Sequence, residues 1–182
     1  MIPDMAEIQP DFMCGVPRVW ESLATGIHRA MKKEGGIKFA MFNFFLSVGK
    51  KYCKMKELLT GCVCKFKPRV RIFDILISII PFILLWPLAK LGDKLVFSKI
   101  RAKFGGKMRF IISGGGALQK EIDIFYRAIN MTVIEGYGMT ETAPVLSLRD
   151  YRKPRPGCVG TIMPSIEAKI VKEEHGKIVD TK

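Results

Sequence analysis

The sequence predicts an α/β fold built on a parallel βαβ core with flanking helices, and three observations predict it. Two short apolar runs, Met108–Ser113 and Met131–Ile134, each stop at glycine, as buried strands do. Between them Leu118, Ile122, Phe125 and Ile129 recur at the spacing of one helix face. Strand, helix and strand within residues 108–134 make a βαβ unit, whose crossover is right-handed and leaves its strands parallel. The glycine-rich segments after the two strands, 113–117 and 135–142, then share one carboxyl edge of a sheet. Ligands bind at that edge in open α/β sheets.

The flanking elements follow in order. Residues 11–16 (DFMCGV) predict a short strand, and Pro17 suits the first turn of the helix after it. Val19, Leu23, Ile27 and Ala30 mark that helix's apolar face, and Gly35-Gly36 end it. Residues 37–60 predict a second, amphipathic helix carrying Phe39, Phe42, Leu46 and Val48 among lysines. A basic connector spans 61–71. Asp93–Lys103 is a further helical pattern, closed by Gly105-Gly106. The domain reading is a partial α/β domain over 1–150, with a basic and apolar helical insert at about 29–104. A β-rich subdomain begins at 151–182, with strands expected at Ile166–Val171 and Lys177–Val179.

Between the connector and Asp93 lies Ile75–Ala89, ILISIIPFILLWPLA, an uncharged run of 15 residues. That is shorter than the roughly 20 residues of a spanning helix, and Pro81 and Pro87 interrupt it. The expectation is a buried core helix with a proline kink. An interfacial or re-entrant membrane contact is one alternative, since Lys65, Lys67, Arg69 and Arg71 precede the run and Lys90 and Lys94 follow it, and a transmembrane span, lengthened by the upstream Ile72 and Phe73, is the other.

Of 182 residues 48% are hydrophobic and 26% charged, a globular rather than a disordered composition. The net charge of +13 is uneven: residues 29–71 hold twelve Lys or Arg against Glu34 and Glu57. Such an excess serves an anionic surface or ligand, or marks a solvated helical face. No nucleic-acid-binding motif accompanies it, so no nucleic acid is expected. The five cysteines at 14, 53, 62, 64 and 158 and the histidines at 28 and 175 form no zinc pattern. Reduced thiols in the cytoplasm are expected, with a peripheral place on the inner face of a membrane as an extension. Asp4 and Glu7 interrupt any signal-like apolar run.

Chemistry concentrates in Glu135-Gly136-Tyr137-Gly138-Met139-Thr140-Glu141-Thr142. Glycines admit close backbone approach. Tyr137 offers a flat face for a base, Thr140 a hydroxyl for a phosphate oxygen, and Glu141 a carboxylate for Mg²⁺. Glu135 is open to two roles, an adenine-side contact or an ion pair. Tyr137 could instead be a packed core aromatic, and Thr142 reads as a structural hydroxyl.

This segment resembles the Tyr-Gly-x-Thr-Glu motif of adenylate-forming enzymes. Gly15-Val16-Pro17-Arg18-Val19-Trp20-Glu21, Leu95-Val96-Phe97-Ser98-Lys99-Ile100, Ile112-Ser113-Gly114-Gly115-Gly116-Ala117-Leu118 and Pro156-Gly157-Cys158-Val159-Gly160 agree in order. The resemblance is to long-chain fatty acid–CoA ligases, and it implies part of their large N-terminal domain. It also implies a reaction of fatty acid and ATP to acyl-adenylate and pyrophosphate, followed by transfer to CoA. Thr140 and Glu141 would be catalytic, with Glu141 on Mg²⁺. Gly115, Gly116, Ala117, Glu135, Gly136, Tyr137, Gly138, Met139 and Thr140 would hold ATP. Residues near the first glycine loop would wall an acyl tunnel, and Val16 and Trp20 extend that wall. The family's lysine-bearing phosphate loop, ribose-binding aspartate and lysine-bearing C-terminal domain have no counterpart in the 182 residues, so the expectation is a fragment inactive by itself. An acyl–acyl carrier protein ligase and a non-catalytic membrane-binding remnant are the competing readings.

Overall fold

The computed structural model describes residues 2–64, 71–142, 144–169, 171–174 and 177–180. Three strands run parallel: β1 (Phe12–Gly15), β2 (Phe110–Ser113) and β3 (Thr132–Tyr137). Their register places Gly15 beside Ser113, and Ser113 beside Glu135. The carboxyl ends are therefore level. Beyond β3 the sheet turns antiparallel through β4 (Ser147–Leu148) and β5 (Thr161–Ile162), in the order β1-β2-β3-β4-β5. Strands β6 (Val171–Glu174) and β7 (Lys177–Asp180) form a separate antiparallel pair. The α/β class and the parallel βαβ unit agree with the sequence. The first strand of the final pair begins at Val171, not Ile166, and β4 and β5 were not foreseen, because two residues carry no periodicity.

Helices cover the sheet. A short α1 (Ile2–Ile8) precedes β1, and α2 (Pro17–Glu34) follows it, with Pro17 where its missing N–H costs no helical bond. The buried face of α2 is Trp20, Leu23, Ala24 and Ile27. Ala30 is exposed: the core ends with Ile27, one turn before it. Helix α3 (Gly36–Thr60) buries Phe42, Phe45, Leu46 and Val48, and closes on Gly61 in the left-handed region. Helix α6 (Lys120–Ala128) is the βαβ crossover. The core joins these faces to Ile111 of β2, Val133 of β3, and Ile129 and Met131 in the connection from α6 to β3. Tyr126 sits at its centre, donating its hydroxyl to the Trp20 carbonyl at 2.8 Å, and burial pushes its phenol pKa well up.

The apolar run does not join this core. Helix α4 spans Arg71–Gly92 through both prolines and continues by a π turn (Asp93–Phe97) into α5 (Ser98–Lys103). A buried core helix was expected, yet only 6% of its most apolar window is buried. The physical reason is that among the described residues α4 packs on α3, which covers one side of it. Phe82 stacks on Tyr52 at 5.0 Å, and a Cβ on Gly92 would lie 2.7 Å from the Phe45 ring. By length and composition the stretch Ile72–Lys103 can cross a membrane. The basic connector residues 65–70 lie outside the described residues.

The π turn is anchored by Asp93. Burial pushes its carboxyl up, but hydrogen bonds from Arg101 and Asn130 outweigh that and hold it below the usual carboxylate range. Arg101 also donates to the Ile129 carbonyl at 2.8 Å, tying α5 to the end of α6. Gly105 and Gly106, both at positive φ, return their N–H groups to Ala102 and Arg101, the pattern that ends a helix on glycine.

Two glycines test the packing in opposite directions. A Cβ on Gly49 would lie 2.8 Å from the Ala128 carbonyl oxygen, so Gly49→Ala should force α3 off α6 and destabilise by about 1–3 kcal/mol. Gly26, inside α2, has open space, so Gly26→Ala should stabilise by about 0.5–1 kcal/mol. Urea unfolding of both variants measures the contrast.

His28 lies edge-on to Phe42 at 5.1 Å and against Phe125 at 5.2 Å. Burial, then Lys50, lowers its pKa below 6.5. Its neutral form is favoured by folding, so its contribution is present above pH 6.5 and is lost as pH falls through the lowered folded value. Denaturation midpoints about one unit either side of that pH should differ less in His28→Phe than in the parent chain.

Candidate nucleotide-binding site

The level carboxyl ends of β2 and β3 carry the site. Residues 114–119 leave β2, and Gly114 donates its N–H to the Gly15 carbonyl at 3.2 Å. Gly115 takes φ +76, a value that favours glycine, and a Cβ there would meet Val16 Cγ1 at 3.7 Å. Across from this loop, β3 holds Glu135, Gly136 and Tyr137. These three are strand and not loop, because Gly136 and Tyr137 pair with Leu148 and Ser147 of β4. A cleft of about 320 Å³ lies between the two segments, lined by Gly115, Gly116, Ala117, Glu135, Gly136, Tyr137, Gly138 and Val159. That volume falls at the small end of small-molecule sites.

Tyr137 is 47% exposed at the strand end and is not packed into the core that the described residues form. Gly138 follows where the backbone doubles back: a Cβ there would sit 1.7 Å from the Pro144 carbonyl oxygen. No side chain fits. Met139, Thr140 and Glu141 continue onto a 3₁₀ turn (Thr140–Thr142), all three exposed and outside the cleft lining. Thr142 has the structural role expected of it: its hydroxyl accepts from the Met139 N–H at 3.0 Å and donates to the Met139 carbonyl at 2.9 Å. The turn thus holds Thr140 and Glu141 in solvent beside the mouth.

For Mg²⁺ the donor chemistry fits within limits. No cluster of three or more metal-ligating side chains occurs among the described residues. Glu141 is an exposed carboxylate, and Mg²⁺ commonly takes one or two carboxylates, with substrate phosphates and water filling the remainder.

Glu135 shows the ion pair of its two expected roles. Its Oε2 accepts from Arg149 Nη2 at 2.6 Å and its Oε1 from the Leu118 N–H at 3.1 Å. Arg149 is 1% exposed. It also donates to Asp123 Oδ2 of α6 at 2.8 Å and to the Cys158 carbonyl at 2.8 Å. One guanidinium therefore ties together β3, α6 and the loop before β5, and Glu135 passes the constraint to the glycine loop. The sequence reading gives no site role to Arg149, or to Val159 within the Pro156–Gly160 segment. A buried arginine looks like any surface arginine until its partners are in place. Trp20, offered as tunnel wall, is fully buried against Tyr126, whereas Val16 is half-exposed beside Gly115.

Arg149→Ala would strand the Asp123 and Glu135 carboxyl groups without their cation. Urea unfolding should show a loss of about 3–5 kcal/mol, with the glycine loop more readily cleaved by protease.

Comparison with known proteins agrees with this geometry. The model of AMP-binding enzymes matches residues 1–182. The chain is 35% identical over 181 residues to the probable acyl-activating enzyme 16, chloroplastic, of Arabidopsis thaliana, covering 97% of this chain and 25% of that protein. It is 35% identical over 182 residues to that plant's chloroplastic long-chain-fatty-acid–[acyl-carrier-protein] ligase AEE15, with the same coverage of 97% and 25%. It is 33% identical over 172 residues to its peroxisomal long chain acyl-CoA synthetase 6, covering 94% and 20%. The chain thus spans about a quarter of the length of the curated relatives it matches. No solved structure matches it. Since the family match runs the whole length of the chain and takes in both strand-end segments, the chain belongs to the AMP-binding enzyme family.

Proposed function

We propose that this chain carries the adenine- and phosphate-binding edge of an ATP-dependent fatty acid ligase. The observation that carries the reading is the exposed Tyr137 ring at a cleft walled by Gly115–Ala117, level with it across the sheet. Adenine would stack on Tyr137, with backbone of Gly115, Gly116 and Ala117 on its other side and Glu135, Gly136 and Gly138 lining the floor. The phosphates would then run toward Met139 and the 3₁₀ turn, where the Thr140 hydroxyl bonds an oxygen and Glu141 takes part in holding Mg²⁺. The metal would supply positive charge as a fatty carboxylate approaches the α-phosphate. The chain's own contribution is orientation: it holds the base at one strand end and presents the hydroxyl and carboxylate beside it.

The named relatives include both acyl-CoA synthetases and an acyl-carrier-protein ligase. Our reading takes CoA as the thiol that receives the acyl group, and acyl carrier protein as the alternative. Membrane-surface contact through residues 29–94 belongs to the same reading. The enzyme would act on the cytoplasmic side of a membrane, where its acyl substrate is concentrated.

Binding of Mg·ATP to the chain, followed by calorimetry, tests the site directly. Tyr137→Ala should weaken it about fivefold to tenfold, the worth of one stacking face. Glu141→Gln should remove its dependence on Mg²⁺ while leaving the circular dichroism unchanged. In a complete ligase containing this segment, Glu141→Gln should lower adenylate formation by orders of magnitude, and Tyr137→Ala should mainly raise the ATP requirement. Undiminished Mg·ATP binding by both variants would remove these residues from the site.

A further inference from the structure

We propose that the outer face of α4 lies along an anionic lipid bilayer, embedded in one leaflet without crossing it. The proposal rests on the membrane-contact reading above and gives it a surface and a depth.

The inward side of α4 is narrow. Ser78, Phe82 and Gly92 meet α3 or are buried, while Ile72, Phe73, Leu76, Ile80, Ile83 and Leu84 are each 62–68% exposed. Isolated exposed apolar residues are ordinary; a contiguous helical surface of large ones marks an interaction site. The surroundings favour lipid with negative headgroups. Exposed Lys50, Lys51, Lys54 and Lys56 ride on α3, and Lys65, Lys67 and Arg69 lie in the sequence joining α3 to α4. Near the other end Lys90 sits 4.3 Å over the half-exposed Trp86 ring. An aromatic ring beside a lysine suits the boundary between acyl chains and headgroups. An apolar helical face flanked by basic residues is the pattern of interfacial helices.

The packing argues against a span. Tyr52 stacks on Phe82, near the middle of α4, and the four α3 lysines lie within four residues of Tyr52. A crossing α4 would carry α3 with it and draw those lysines toward the bilayer centre, where charge is costly. Lying flat keeps α3 on the water side with its lysines at headgroup level.

The test is flotation of the full chain with preformed vesicles. Binding is expected to phosphatidylglycerol-containing vesicles, to weaken with salt, and to be lower for pure phosphatidylcholine. Ile80→Glu with Leu84→Glu should cut partitioning by about tenfold or more while leaving helicity unchanged. A membrane-impermeant thiol reagent then reads depth. Cys14 is exposed, and Lys67→Cys places a second thiol in the sequence joining α3 to α4. Equal labelling of the two on intact vesicles is expected. Protection of position 67 alone, relieved by detergent, would mean that the hairpin crosses; the flat placement would fail and membrane contact would stand. Absence of flotation at low salt would overturn both. A lipid-free dimer dissociated by the same double variant would assign the face to a second copy and also overturn the proposal.

Discussion

The site depends on one buried cation. Arg149 reaches four acceptors on three elements: the carboxyl groups of Asp123 and Glu135 and the carbonyls of Cys158 and Val133. Arginine suits this because its guanidinium presents five donors in a fixed plane. Burying a charge is costly unless its donors are satisfied, so such a cluster selects one arrangement of its neighbours. Helix α6 cannot slide along β3 without breaking the Asp123 contact, and the loop carrying Val159 cannot drift from the cleft without losing Cys158. Glu135 extends the reach to the glycine loop through Leu118. The residues that line the cleft are thus held from behind by a network that itself faces away from solvent.

Glycine completes what the cation arranges. Gly138 and Gly160 both lie where backbone passes against backbone, with a Cβ placed 1.7 Å from Pro144 oxygen in one and 2.0 Å from Leu148 oxygen in the other. These close passes let the chain turn sharply after β3 and return as β4 and β5 beside it. Tyr137 is left at the strand end with its ring uncovered, and the 3₁₀ turn follows at once. A bulkier chain would have to open the turn and would move Thr140 and Glu141 away from the mouth.

The helical half follows a different logic. Helix α3 has two clients: its Phe42, Phe45 and Leu46 enter the core, while Tyr52 supports α4. Everything that α4 does not give to α3 remains at the surface. That division explains why hydropathy misled. An apolar run measures the wish to leave water, but burial also requires a neighbour, and the described fold supplies α4 with one helix.

Much was therefore legible in residues 108–142. The run ended by glycine, the 3.6-residue spacing of Leu118 to Ile129, and the second run are local patterns, and local patterns set strands and helices. Parallel pairing followed from chain connectivity, and so did the meeting of Gly115–Ala117 with Gly136–Gly138. The flat face of Tyr137 and the carboxylate of Glu141 could be nominated by chemistry alone. What only the tertiary structure decided were matters of partnership. Glu135 became an ion pair because Arg149 arrived from fourteen residues downstream; the last two residues of β3 became strand because Ser147 and Leu148 came back to pair with them. Trp20 went to the core and α4 to the surface for the same reason. Propensity and periodicity are carried by each segment, whereas burial, ion pairing and strand extension belong to pairs of segments and exist only once both are in place.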